Sequence, residues 1–249
     1  MSKPSSSLEK KRGGGKHGGG KLRGHPKDSP DVRISKTLSW ILRHGAKSEG
    51  LYMRPDGYVR VVDLLSTPKL KGQLDLEAIQ QIVKQDQKQR YGLLMGPDDD
   101  TTDAGEIWWI RANQGHSIKA VNMDLEPILS ASDIPMAVHG TNKKAWTSIS
   151  QTGLSRMNRN HIHLAQGVPG DGVISGMRNS AQVLIYVDVQ TALEAGLKFF
   201  TSENGVVLTE GDERGLLPIE FFSKVEDRNG QPVVGWRKEG AVVLETSEL

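Results

Sequence analysis

The apolar residues of this 249-residue chain lie in many short segments that are separated by glycine, proline and polar residues. Even the apolar strand predicted at Val183–Val189 has only seven residues, and no apolar run approaches the roughly 18 residues of a membrane-spanning helix. Segments this short favour many short strands and few short helices, which must pack in layers to bury a core. The sequence therefore predicts an α+β protein.

The composition excludes several classes of scaffold and site. The chain contains no cysteine, so it has no disulfide framework, thiolate zinc site, iron–sulfur cluster or cysteine nucleophile. The basic N-terminus has no apolar segment behind it and does not have the pattern of a secretory signal. We expect a monomeric protein of the cytoplasm or nucleus that has no attachment to membranes.

Positive charge is concentrated at the N-terminus. Residues 1–30 carry a net charge of +6, residues 31–122 of +1 and residues 123–249 of −5. The first segment also has low complexity, with two Gly-Gly-Gly runs, so it cannot bury enough surface to fold. We predict a disordered basic Gly-rich tail at 1–30, which either adds non-specific affinity for RNA or is simply solvated.

Residues 31–120 have the pattern of a small helical module with a two-stranded wing. An apolar helical face ends at Gly45, which we expect to adopt the left-handed conformation of a helix C-cap. Asp75 is placed to cap a second amphipathic helix. Two strands, at Arg90–Met95 and Ile107–Ile110, then enclose a polar loop. This order predicts a winged-helix lobe.

A connector is predicted at 121–136, and residues 137–249 form a second lobe. Its helix at Lys144–Gln151 is closed by Gly153. Its short strands are predicted at Ala137–His139, His161–Ala165, Val183–Val189 and Val206–Thr209. The Asn204-Gly205 pair is a turn signal between two of these strands.

Two basic motifs in the first lobe are candidates for binding an anion. Arg43 and His44 lie in the last turn of the first helix, where cations also complement the helix dipole. Lys88 and Arg90 are expected to project from one face of a strand while Tyr91 faces the core. A solvated charged face is also consistent with the second pattern, so the residues alone leave both interpretations open.

Arginine and histidine crowd together between Arg156 and His163, and His161 and His163 are expected on one strand face. Three interpretations fit this cluster: an anion-facing site, a metal pair and plain surface. No carboxylate or third histidine lies close enough in sequence to support the metal pair. The His139–Thr141 motif at a strand end is either an ordinary turn or a place where a ribose and a flat ring approach the backbone.

Taken in order, these motifs resemble the RNA 2′-phosphotransferase family. The resemblance covers about residues 31–226. It is carried by seven stretches, Ile34–Gly45, Asp56–Val59, Lys88–Tyr91, Ile110–Ser117, His139–Thr141, Met157–Leu164 and Asn204–Val206. Each stretch is weakly specific alone, whereas seven in the same order are highly specific. The resemblance implies a winged-helix lobe followed by an ADP-ribosyltransferase-like lobe of short antiparallel strands, with the active site between them.

The resemblance also implies the chemistry. Members of the family remove an internal 2′-phosphate at an RNA splice junction and transfer it to NAD⁺, without a metal. The phosphate attacks C1″ of the nicotinamide ribose and expels nicotinamide. The 2″-hydroxyl then attacks the phosphate, which releases RNA and ADP-ribose 1″,2″-cyclic phosphate. The implied partners are RNA with an internal 2′-phosphate, such as ligated tRNA, and NAD⁺, which is consumed as a co-substrate.

The family's catalytic Arg-His-Arg-Arg tetrad corresponds to Arg43, His44, Arg90 and Arg159, and Lys88 matches a further basic position for the RNA 2′-phosphate. The residues implied in NAD⁺ binding, besides Arg159, are His139, Gly140, Thr141, Ser148, Gly153, Leu154, His161, His163, Asn204, Gly205 and Val206. Either His161 or His163 would face the nicotinamide. Val206 stands where related transferases often carry a glutamate, which agrees with a nucleophile that is already an anion.

Two other functions share parts of this pattern. An RNA-binding protein with an inactive transferase-like lobe would be expected to lack part of the tetrad or His139, and all of these residues are present. An ADP-ribosyltransferase that stops after the first step, and so caps terminal phosphates of nucleic acids, would share all the first-step residues. The sequence does not exclude this second alternative.

Overall fold

The computed structural model describes residues 21–98, 105–172 and 175–236. Within these ranges the helices are α1 Pro30–Trp40, α2 Val61–Ser66, α3 Leu76–Gln85, α4 Lys143–Thr152 and α5 Val189–Glu194. The strands are β1 Val59–Arg60, β2 Tyr91–Pro97, β3 Glu106–Ala112, β4 Glu126–Ile128, β5 Val138–Thr141, β6 Leu154–Ser155, β7 Ile162–Leu164, β8 Val183–Val187, β9 Phe199–Thr201, β10 Val207–Thr209, β11 Leu216–Leu217 and β12 Phe222–Asp227.

These strands form small antiparallel sheets, which confirms the prediction of an α+β protein. The strand orders are β1-β3-β2, β4-β9-β10-β7, β11-β6 and β12-β8-β5. Short helical turns lie at Ile41–Gly45, Lys47–Glu49, Ala131–Asp133 and Ile219–Phe221. No helix in the described ranges is both long enough and apolar enough to cross a membrane.

The two largest apolar clusters belong to different parts of the chain. Leu38, Ile79 and Ile110 lie in a cluster that joins α1, α3 and β3 beneath the three-stranded sheet. Ile185 and Phe199 lie in another cluster, which joins the remaining sheets and helices. Burial of these side chains is the main favourable term for both halves, since every CH₂ removed from water contributes about 0.8 kcal/mol.

Several local signals in the sequence act as predicted. The Asp75 side chain accepts a hydrogen bond from the Ala78 N–H at 2.8 Å and so caps α3. Gly153 ends α4 with a φ of 85°. Strands β2 and β3 pair along their full length, which confirms the two strands predicted in this part of the chain. The predicted loop between them lies largely outside the described residues.

The prediction that Gly45 forms a left-handed cap is wrong. The chain continues from α1 into a π-helical turn at Ile41–Gly45, and the left-handed residue is Gly50, with a φ of 74°. Gly45 is needed for close packing instead, because a Cβ at this position would lie 2.5 Å from Cζ3 of Trp40. The Arg23 guanidinium packs on the Trp40 ring at 4.4 Å, so a shift of the ring would disturb this contact.

The end of the predicted tail belongs to the folded part of the protein. Leu22 packs against the core, and the Arg23 N–H donates to Oγ1 of Thr37 at 2.8 Å. Ser29 then caps α1 through the Val32 N–H. The composition of residues 1–30 does not predict these contacts, because only two or three side chains make them. Residues 1–20 of the predicted tail lie outside the described residues.

The segment predicted as a connector contains a strand. β4 pairs antiparallel with β9, from Glu126 opposite Thr201 to Ile128 opposite Phe199. Pro127 is compatible with this place because β4 is the edge strand of its sheet, where a missing N–H leaves no ladder bond unmade. The segment between the halves therefore contributes to the second half's sheet.

We expect Gly45→Ala to lower the free energy of unfolding by about 1–3 kcal/mol, measured by equilibrium denaturation in urea. The steric cost against Trp40 exceeds the roughly 1 kcal/mol that alanine gains over glycine in helical backbone. Gly105→Ala is the matched control, because a Cβ at Gly105 would meet no atom of the described residues within 4 Å. Equal stabilities of the two variants would contradict this packing role of Gly45.

Candidate active site

Basic side chains from distant parts of the chain line one cavity of about 280 Å³. Arg43 and Arg90 come from the first half of the chain and Arg159 from the second. The described residues that line it are Arg43, Lys88, Arg90, Gln114, Arg159, His163, Ser175, Gly176, Met177, Arg178 and Asn204. Five of these residues are Lys or Arg and none is Asp or Glu, so the cavity is suited to an anion.

Arg43 is held in the π-helical turn with part of its guanidinium buried. Its Nε and Nη2 atoms are buried and have no hydrogen-bond partner among the described residues. Gly115, with a φ of 89°, lies against this side chain, and a Cβ there would be 3.3 Å from the Arg43 Nε. Burial lowers the pKa of Arg43, and the charges of Arg159 and Arg90 lower it further. Buried N–H groups that lack a partner are costly unless a ligand fills the gap.

Arg90 is oriented by Asp86. The Arg90 N–H donates to Oδ2 of Asp86 at 2.6 Å, and the Arg90 guanidinium forms an ion pair with the same carboxylate. This turn corrects the expected strand pattern, because β2 begins only at Tyr91 and Gln89 has a φ of 46°. Lys88 and Arg90 therefore project from a turn that the Asp86 side chain stabilises, and not from alternating positions of a strand.

His44 lies beside this cavity and lines a neighbouring one of about 440 Å³. Its Nδ1 is 2.9 Å from Oγ of Ser117, and the Ser117 N–H donates to the Arg43 carbonyl at 3.0 Å. Desolvation lowers the pKa of His44, and the charges of Arg159 and Arg43 lower it further. Because Arg43 and Arg90 line both cavities, the complete predicted tetrad lies around one cleft.

His163 faces the cationic cavity and His161 does not. The ring of His163 is buried, and its Nε2 atom has no hydrogen-bond partner among the described residues. Burial holds the pKa of His163 well below its ordinary value, with further contributions from Arg159 and Arg43. The His161 Nε2 lies 4.0 Å from a Glu210 carboxylate oxygen instead. Within the described ranges, no group of three or more metal-binding side chains is found.

His139 in β5 is tied to His163 through the backbone. Its Nδ1 lies 3.0 Å from the His163 carbonyl oxygen, which can only accept a hydrogen bond. Nδ1 is therefore the protonated nitrogen, and Nε2 is the acceptor of the neutral ring. Burial lowers the pKa of His139, which favours this neutral form.

Most of the other predicted NAD⁺-binding residues do not line the cavity. This group consists of Gly140, Thr141, Ser148, Gly153, Leu154, Gly205 and Val206, and His139 and His161 do not line the cavity either. Gly140 packs against Met177, where a Cβ would meet Cγ at 2.4 Å, and Val206 is fully buried. Asn204 does line the cavity, and its Nδ2 donates to the Lys88 carbonyl at 2.9 Å. The Asn204-Gly205 turn joins β9 to β10, as predicted.

Sequence reasoning missed several lining residues. Gln114 lies in a stretch that carried the resemblance, but no spacing marked it as a cavity residue. Ser175 and Arg178 come from a segment without helical or strand periodicity. Residues such as Ser175 and Arg178 reach the cavity only because their loop packs against it, and no pattern in the sequence predicts that packing.

Comparison with known proteins decides the family. The sequence model of the "RNA 2'-phosphotransferase, Tpt1 / KptA family" matches residues 29–211. The chain belongs to this family. It is 45% identical over 218 residues to tRNA 2'-phosphotransferase 1 of Danio rerio, which covers 86% of this chain and 92% of the relative.

Two further relatives carry similar names. Identity to tRNA 2'-phosphotransferase 1 of Homo sapiens is 42% over 219 residues, covering 85% of this chain and 84% of the relative. Identity to tRNA 2'-phosphotransferase of Saccharomyces cerevisiae is 39% over 208 residues, covering 80% and 85%. The range matched by the family model, residues 29–211, spans the positions of the predicted tetrad from Arg43 to Arg159.

His116 is a buried histidine beside the tetrad. It is 3% exposed, and its Nε2 has no hydrogen-bond partner among the described residues. Burial lowers the pKa of His116 from 6.5 to about 3, and the charges of Arg43 and His44 act in the same direction. On acidification the unfolded chain takes up a proton near pH 6.5, whereas folded His116 resists protonation until about pH 3. Stability is therefore lost as the pH falls through this range.

We expect His116 to account for about 2 kcal/mol of the loss in unfolding free energy between pH 7 and pH 5. His116→Gln should reduce this loss, measured from denaturant curves at the two pH values. The exposed His25 provides a control, and His25→Gln should retain the wild-type difference. An unchanged difference in His116→Gln would show that this ring does not resist protonation.

Proposed function

We propose that this protein removes the internal 2′-phosphate at the splice junction of ligated tRNA and transfers it to NAD⁺. The products are RNA with a free 2′-hydroxyl, nicotinamide and ADP-ribose 1″,2″-cyclic phosphate. The observation that carries this proposal is the cavity in which Arg43, Arg90 and Arg159 converge, with no carboxylate among the described residues that line it. A metal-free transfer of phosphate needs such fixed cations, because guanidinium groups match pairs of phosphate oxygens.

We assign the two substrates to two lobes. Residues 31–120 would form a winged-helix lobe for RNA and 137–249 an ADP-ribosyltransferase-like lobe for NAD⁺. Residues 121–136 would connect them and contribute β4 to the sheet of the second lobe. Support comes from the two neighbouring cavities, which share Arg43 and Arg90 as a common wall. The larger cavity is lined largely by α1 and would receive the RNA, while the smaller one reaches His163 and Asn204 of the second half.

The residues around the smaller cavity fit part of NAD⁺. When bound, this co-substrate supplies a ribose carbon that loses nicotinamide and accepts a phosphate oxygen. The Nε2 of His163, which has no hydrogen-bond partner among the described residues, is suited to a hydroxyl or amide donor in the cavity. His139 does not line the cavity, but it is bonded to the His163 carbonyl and its Nε2 is an acceptor of the same kind. We therefore favour His163 over His161 for the nicotinamide side. Gly140, with Met177 packed against it, does not offer an open backbone to a ring.

In the first step, Arg43 and His44 would hold the 2′-phosphate at the wall between the cavities. No general base is required, because a phosphate is already an anionic nucleophile. This agrees with the buried, apolar Val206 at the position where related transferases often carry a glutamate. Binding of the dianion would raise the pKa of His44.

In the second step, extra negative charge develops on the phosphate as the ribose hydroxyl attacks it. Arg90 and Arg159 are assigned to stabilise this charge, since both line the smaller cavity. Lys88 lies in the same lining and would assist. The protonated His44 would give its proton to the departing 2′-oxygen of the RNA as the bond between phosphorus and that oxygen breaks, while the proton of the attacking 2″-hydroxyl passes to solvent.

The direct test mixes the protein with an oligonucleotide that carries one internal 2′-phosphate, NAD⁺ and a chelator. We expect dephosphorylation that depends on NAD⁺, with nicotinamide and the cyclic sugar phosphate appearing in equal amounts. Modification of a terminal phosphate, with no cyclic product from the internal 2′-phosphate, would favour an ADP-ribosyltransferase that stops after the first step. Binding of the RNA without turnover would favour an inactive RNA-binding protein.

Arg159→Ala is expected to slow the second step by about 10²–10³-fold, the effect of removing one donor that stabilises transition-state charge. Nicotinamide release should remain measurable while ADP-ribosylated 2′-phospho-RNA accumulates, as followed by gel electrophoresis of labelled RNA. Arg228→Ala is the comparison variant, because Arg228 is exposed and does not line the cavity, and it should complete both steps. Normal turnover of the accumulated species by Arg159→Ala would contradict this assignment.

A further inference from the structure

Lys88 holds the segment that closes one side of the smaller cavity. Its Nζ donates to the Met177 carbonyl at 2.9 Å and to Oδ1 of Asn179 at 3.3 Å. Its own carbonyl accepts hydrogen bonds from Oγ of Ser175 at 3.0 Å and from Nδ2 of Asn204 at 2.9 Å. One residue of the first half thus makes four polar contacts with two loops of the second half.

These contacts fix the backbone on both sides of Arg178. The Lys88 ammonium bonds to Met177, which precedes Arg178, and to Asn179, which follows it. The Met177 side chain is buried against Gly140, and the Ala181 N–H donates to the Arg178 carbonyl at 3.0 Å. The place of Arg178 at the cavity is therefore determined by packing as well as by hydrogen bonds, although its segment has no regular secondary structure.

The Arg178 side chain lines the cavity with Arg43, Arg90 and Arg159. It makes no hydrogen bond or ion pair with any described residue. Its charge lowers the pKa of Arg159, after the larger effect of burial, so the two guanidinium groups lie close enough to repel each other. Holding another cation beside like charges costs free energy, which a bound anion would offset.

We propose that Arg178 is a further phosphate-binding residue and that Lys88 is the residue that positions it. This inference rests on the proposed function, because the ligand is a phosphate oxygen of one of its two substrates. That oxygen belongs either to the 2′-phosphate of the RNA or to the diphosphate of NAD⁺. The two sources share their chemistry and are distinguished by kinetics.

Steady-state kinetics of Arg178→Gln are measured in two arms, with RNA varied at saturating NAD⁺ and with NAD⁺ varied at saturating RNA. We expect a rise of about tenfold in one KM, because a charge-assisted contact is lost. A higher KM for RNA assigns Arg178 to the 2′-phosphate, and a higher KM for NAD⁺ assigns it to the diphosphate. Arg178→Lys should recover part of the loss because it keeps the charge.

Arg228→Gln is the matched control, since Arg228 is an exposed arginine of the same half that does not line the cavity. Both KM values of this variant should equal those of the wild type. If Arg178→Gln matches Arg228→Gln in both arms, or changes kcat alone, the phosphate-binding role is overturned. Thermal unfolding of the variants verifies that they are folded, and Arg178→Lys tests the same contact with the smallest change in shape.

The positioning role of Lys88 is tested with Lys88→Met, which keeps an unbranched chain but removes the ammonium. We expect the same KM to rise as in Arg178→Gln. The double variant should have a KM no higher than that of the single variant with the higher KM. Additive effects would show that Lys88 acts independently of Arg178 and would overturn its positioning role. An inactive wild-type protein would reject the proposed function itself, whereas an active wild type with unchanged Arg178→Gln rejects only this inference.

Discussion

The main constraint on this structure is the mutual repulsion of the cationic side chains that share one cleft. The described carboxylates near them, such as Asp86, neutralise only part of their charge. Arg90 is paired with Asp86, but Arg43 keeps buried N–H groups that have no partner in the described part of the chain, and Arg159 lowers the pKa values of Arg43 and His44. Like charges at such distances destabilise the folded chain unless they are solvated or bound to an anion. The rest of the molecule must therefore hold these cations close together. A phosphate that binds among them is stabilised, because its negative charge relieves their mutual repulsion.

Backbone hydrogen bonds between distant segments supply this restraint. The Ser117 N–H donates to the Arg43 carbonyl. The N–H of Asn160, the residue that follows Arg159, donates to the His116 carbonyl. An ion pair between Arg111 and Glu203 joins the two halves on another side of the cleft. Because these bonds are made by peptide groups and by side chains outside the cavity, they hold the cations without consuming their charge. A site built in this way is preorganised for an anion before the ligand arrives.

Much of the local structure could be predicted from the sequence, and the failures have physical causes. Asp75 and Gly153 act as helix ends because a cap is made by neighbouring residues. The predicted reason for a glycine at position 45, a left-handed helix cap, is wrong. A glycine is needed there because the Trp40 ring packs against it. Lys88 and Arg90 were placed on a strand face, whereas the Asp86 side chain turns the chain there before β2 begins.

The sequence by itself determined the family, the residue types of the predicted tetrad and the positions of most strands and helices. These features depend on the spacing of neighbouring residues and on the order of motifs along the chain. Only the tertiary structure decided that His163 rather than His161 faces the cavity and that Arg178 belongs to its lining. It also gave Lys88 its contacts with Met177 and Asn179. Such facts depend on which distant loops pack together, and packing between segments far apart in the chain leaves no periodic signal in a single sequence.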